Sequence, residues 1–182
     1  FSNIFLVTST CVLVIDVTKV LKLRIDTVDL VATTAKSVSD KLIAVAGDSA
    51  AYKQLPSYKA LEAKKDTFSA YTYPDKDNAA LTAFIARMND AIKALDKRLE
   101  DNKQFAAAMD TAQKLIAAKE FEKFGNGQNN SSFTALKDIY DELKPGVYNP
   151  FTVEDDNIVA ATKYVEVITN TWDTVGTYNI TT

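Results

Sequence analysis

The sequence predicts an all-α protein: an antiparallel bundle of about five to six helices with a long apolar N-terminal helix. Three observations carry this expectation. Apolar residues recur at helical spacing in every long segment. The five glycines and four prolines fall between those segments, where they act as punctuation. Alternation with period two is sustained nowhere after residue 16. The connections between amphipathic segments are short, as in bundles. With 182 residues, 47% apolar and 25% charged, the chain can bury one sizeable core, so 1–182 is expected to be a single helical domain.

The first predicted helix covers 1–46. Val17, Leu21, Val28, Val31, Ala35, Val38, Leu42 and Val45 alternate by three and four once Arg24 fills the gap, a coiled-coil-type seam. Gly47 is placed as its C-cap. With residues 4–16 included, the helix would be roughly 60 Å long at ~1.5 Å per residue. Residues 4–15 (IFLVTSTCVLVI) are rich in β-branched side chains, so a buried strand is the alternative there.

Four or five further helices follow. Ser57 is expected to cap one that runs to about Ser69, and Asn78 one carrying Leu81, Ile85, Met88, Ile92, Leu95 and Leu99. Another is expected from about Gln104 to Phe124, with Phe105, Met109, Ala112 and Ile116, stopping at Gly125. GNGQNNSS reads as a loop. Ser132 is expected to cap a short helix with Phe133, Leu136, Tyr140 and Leu143, ended by Lys144-Pro145-Gly146. Thr152 and Asp155 resemble a capping box that opens the last helix, with Ile158, Ala161, Val165, Ile168, Trp172 and Val175. Gly176 is expected to end it, leaving 176–182 as a tail.

Composition narrows the chemistry. There is no histidine, which removes the usual general base and the commonest metal ligand. A lone cysteine, Cys11, forms no internal disulfide, and its apolar surroundings suit an inert buried thiol. The carboxylates Asp138, Asp141 and Glu142, and Glu154, Asp155 and Asp156, read as solvated helix faces and first-turn acids. Asp75-Lys76-Asp77-Asn78 opens like a calcium loop but lacks the glycine and closing glutamate, leaving a turn with a helix cap. No catalytic, cofactor-binding or metal-binding residue is nominated. The expectation is a non-enzymatic protein without a cofactor. A net charge of −3 and only three arginines argue against nucleic-acid binding.

Two regions suggest partners. The apolar start is too short to span a membrane and too apolar to stand exposed. The assembly interface is therefore placed on Phe1, Ile4, Phe5, Leu6, Val7, Val12, Leu13, Val14 and Ile15, with copies of the chain as partners. Second, 52–73 interleaves aromatic residues with lysines, and Tyr52, Tyr58, Lys59, Tyr71 and Tyr73 form a candidate ligand surface. Sequons at Asn129, Asn130 and Asn179 offer glycosylation sites and favour an extracellular or particle-surface location. Phe1 in place of Met is what a processed, trimmed or partial chain would show.

The layout of 1–46 resembles that of pilin-type filament subunits. Those begin with a processed apolar N-terminus, often Phe, on a long helix whose outer half packs on a globular head. Phe5 stands where that family has a glutamate, and charges begin early, at Asp16. Helical coat proteins of filamentous viruses share the acidic, helical character. Both resemblances imply a self-assembling structural subunit. The alternative is a helical-bundle module that binds a hydrophobic ligand or a protein partner.

Overall fold

The computed structural model describes the backbone of residues 2–69, 77–118 and 131–179, and the side-chain surroundings of 16–68, 77–118 and 133–170. It is all-helical: α1 (Ser2–Asp48), a 3-10 turn (Ala50–Gln54), α2 (Pro56–Ser69), α3 (Asn78–Ala117), α4 (Ser131–Leu143) and α5 (Asp155–Asn179), with no strand among the described residues. No helix among them is long and apolar enough to cross a membrane.

Residues 4–15 are helical, as expected, rather than the alternative strand; no Gly or Pro interrupts the chain there, and β propensity is weak against a continuing helix. Several expected boundaries move. Helix α1 passes through Gly47 to Asp48, so Gly47 is no C-cap. Ser49 instead caps the following turn, its side chain accepting from the Ala51 N–H at 3.3 Å. Helix α2 begins at Pro56, one residue before the expected cap Ser57. Proline suits that first position because its missing N–H needs no partner. Asp77, not Asn78, caps α3, its carboxylate accepting from the Ala80 N–H at 2.7 Å. The two helices expected over 78–124 are one through Ala117, since nothing between Leu99 and Gln104 breaks helical geometry.

Glu154, rather than the Thr152–Asp155 box, opens α5: its carbonyl accepts from the Asn157 and Ile158 N–H groups. The Thr152 hydroxyl donates back to the Asn149 carbonyl at 3.3 Å. Helix α5 continues past Gly176 to Asn179. The stop expected at Gly125 falls outside the described residues, as do the side chains of Cys11, Ser132, Trp172 and Val175.

The helices belong to two compact units, Phe1–Asp48 with Ala60–Lys93 and Ser49–Lys59 with Ala94–Thr182. In the first unit α1 buries Thr27, Val31, Thr34, Val38, Leu42 and Val45. The expected seam residues Val31, Val38, Leu42 and Val45 are buried, Ala35 is half-buried, and the seam misses two threonines. Their hydroxyls are satisfied within the helix, donating to the Leu23 and Leu30 carbonyls at 2.7 Å each. That local bond lets threonine occupy a core position. From the other segments of this unit come Leu61, Leu81, Phe84, Ile85 and Met88. Phe68 meets Phe84 edge-on at 4.8 Å, and Arg24 donates to the Asn78 side chain at 3.2 Å.

In the second unit three helices share one core. Phe105, Ala108, Met109 and Ala112 of α3 pack with Leu136 and Ile139 of α4 and with Ile158 and Val165 of α5.

Candidate functional site

The outer part of α1 is the first candidate. Val17, Val20, Leu21, Leu23 and Ile25 are 55–66% exposed. The expected seam positions Val17 and Leu21 thus face solvent rather than a core. Charged residues sit among them, Lys22 pairing with Asp26 at 3.0 Å across one turn. A solvated pair of this kind adds little stability, whereas the apolar side chains leave a sizeable water-exposed surface. The expected interface residues Ile4, Phe5, Leu6, Val7, Val12, Leu13, Val14 and Ile15 lie on the same helix, and the surroundings of their side chains fall outside the described residues, as does Phe1.

The second candidate is a cavity of about 810 Å³ in the second unit. Helix α3 forms one wall through Asn102, Lys103, Phe105, Ala106, Met109, Asp110 and Gln113. Tyr140 and Leu143 of α4 form another, and the segment 145–151 arches over them with Tyr148 and Phe151 inward. Tyr52, from the 3-10 turn, completes it. The rings are mutually inclined: Phe105 and Tyr148 at 5.5 Å and 43°, Tyr52 and Phe151 edge-on at 5.9 Å. Such offset and edge-on pairings are favourable for aromatic quadrupoles.

The arch is held by α3. Arg98 is 0% exposed and donates to the carbonyls of Pro150 at 3.0 Å and Val153 at 2.6 Å. Its other terminal nitrogen lies 3.1 Å from the Asp155 carboxylate, a charge contact not aligned as a hydrogen bond. Asn102 adds a bond to Pro150 at 3.3 Å. Within the arch, the Asn149 side chain accepts from the Phe151 N–H at 3.0 Å, and Gly146 takes a φ of 91°. Arginine suits this role because its planar fork reaches several acceptors at once.

Burial pushes the Tyr148 phenol above its ordinary range, opposed by the nearby Arg98 cation. At the foot of α4, the Lys144 ammonium donates to Asp141 at 2.8 Å; this bond lowers the carboxyl and raises the ammonium. Among the described residues no group of three or more His, Cys, Asp or Glu could hold a metal ion.

The expected ligand surface is only partly assembled. Tyr52 lines the cavity, Lys59 is exposed, and Tyr58 is 4% exposed and so presents no ring face. Tyr71, Tyr73, Asn129 and Asn130 fall outside the described residues; Asn179 is the last residue of α5, its side chain not described. Sequence reasoning treated Phe105, Met109 and Tyr140 as core and left Tyr148 and Phe151 unremarked. The signal for the arch was the aromatic density of GVYNPF just after Lys144-Pro145.

No protein-family model, curated protein or solved structure matches the chain.

Proposed function

We propose that the chain is a non-enzymatic structural subunit that self-assembles, as filament or coat subunits do, through α1. The observation behind this reading is the exposure of Val17, Val20, Leu21, Leu23 and Ile25 on a 47-residue helix. Surface of that kind is covered in a working protein. Asp16, Lys19, Lys22, Arg24 and Asp26 punctuate the segment and make hydrocarbon a poor cover. A second copy of α1 offers matching apolar surface along the same length. The reading takes the chain as one helical domain whose helices pack antiparallel, the arrangement favoured by short connections between amphipathic helices.

Light scattering with negative-stain imaging tests it. The wild-type chain should form long or closed particles. The double variant Leu21→Glu/Ile25→Glu and a chain lacking residues 1–15 should each run as a monomer with helical circular dichroism retained. A wild-type particle of 20.0 kDa would overturn the assembly reading.

A second reading, a helical module that binds a hydrophobic ligand, is favoured by the aromatic cavity. Its size lies within the range of ~300–1,000 Å³ common to small-molecule sites.

A further inference from the structure

We propose that the aromatic cavity binds a small amphipathic monocarboxylate, with its flat apolar body against the rings and its carboxylate at Lys103. This rests on the second reading above and adds the chemical class of the ligand.

The apolar half of the match is the cavity floor. Phe105 and Met109 are 5% and 7% exposed, and the half-buried rings of Tyr148 and Phe151 face the same space. These rings pack on one another and present flat apolar surface to the cavity, which suits a flat ligand body laid against them. Lys103, Ala106, Asp110 and Gln113 share one stripe of α3, at spacings of three or four residues. That stripe runs roughly 15 Å along the helix, room for two fused rings with a short side arm.

The polar half is a count of charges. Lys103 and Asp110 are the charged residues on the cavity wall. Asp110 is paired with Lys114, at 2.6 Å. Lys103 is exposed and makes no ion pair among the described residues. The buried Arg98 cation favours negative charge at the Tyr148 phenol, and the Asp155 carboxylate 3.1 Å from it offsets that charge. The mouth is left with one uncommitted positive charge beside an apolar floor. A ligand with one carboxylate meets both, a neutral ligand only the second, and a cation is repelled.

Isothermal titration of the full chain with 1-naphthylacetate and its uncharged counterpart 1-naphthaleneethanol tests the proposal. The acid should bind about threefold to fivefold tighter, the size set by one solvated charge pair. Lys103→Gln should erase that preference by weakening the acid, while Lys103→Arg should keep it. Ala106→Trp, which fills the cavity from an exposed helix position, should abolish binding of both. Equal affinities in the wild type, or a preference that survives Lys103→Gln, would overturn the carboxylate assignment and leave the hydrophobic-ligand reading standing. Failure of both probes to bind, or binding that survives Ala106→Trp, would overturn both.

Discussion

The Arg98 guanidinium and the Asp155 carboxylate stand 3.1 Å apart, the arginine side chain 0% and the aspartate 46% exposed. The two ends of this pair are therefore not equivalent. Removing Asp155 strands a buried cation, although the Pro150 and Val153 carbonyls still hold it. Removing Arg98 leaves a carboxylate that water can solvate, but orphans the Val153 carbonyl and leaves that of Pro150 to Asn102 alone. Asp155→Ala should cost about 1–3 kcal/mol. Arg98→Met should cost a similar amount and also loosen the 145–151 arch. Because both act through one contact, the double variant should cost less than the sum, by about 0.5–3 kcal/mol. Urea unfolding of the four proteins measures this. Strict additivity would mean that the contact contributes nothing.

Two glycines make opposite predictions. Gly47 lies in the last turn of α1, and an added Cβ would meet nothing within 4 Å. Gly47→Ala should stabilise the chain by about 0.5–1 kcal/mol, since glycine loses the most backbone freedom in a helix. Gly146 has the same open surroundings but a φ of +91°. Gly146→Ala should destabilise by about 1–2 kcal/mol through the backbone alone. Thermal unfolding of both variants should show shifts of opposite sign.

These two positions also mark what the sequence makes legible. Gly and Pro punctuation marked off the α-helical segments among the described residues, but not each helix end. Gly47 and Gly176 could not stop their helices because glycine only permits a left-handed exit; it does not compel one. Continuity across Leu99–Gln104 was hidden because the apolar seam shifts phase there and passes through buried Arg98 and Asn102. Polar residues in a core look like surface in any hydrophobic pattern. Thr27 and Thr34 were missed for the same reason. The cavity was illegible because it depends on an irregular segment folding back over α3, and periodicity carries no information about loops.

Tyr148 gives a prediction in pH. Burial raises its phenol above the ordinary value of 10.0, so the folded chain holds that proton after the unfolded chain has released it. The corresponding stability is complete below pH 10.0 and is lost as pH rises through the folded value. Tyrosinate absorbance of the wild type minus that of Tyr148→Phe should show one late titration, with a midpoint above 10.0. The variant should also lose less stability than the wild type over that alkaline interval. A midpoint at or below the ordinary value would mean the ring is more hydrated than the arch implies.

The exposed apolar residues of α1 make a prediction about conditions rather than mutations. Contacts made by Val17, Val20, Leu21, Leu23 and Ile25 would be apolar. Apolar association weakens on cooling because its driving force near room temperature is almost entirely entropic. Charge-driven association instead weakens with added salt. The Lys22–Asp26 pair is already satisfied within one helix, which leaves those charges little to offer a neighbour. Particles formed through α1 should therefore shrink or dissolve in the cold and tolerate salt well above physiological strength. Light scattering across a temperature ramp and a salt series separates the cases. Assembly that dissolves in salt but survives cooling would move the interface from these apolar residues to the charged surface.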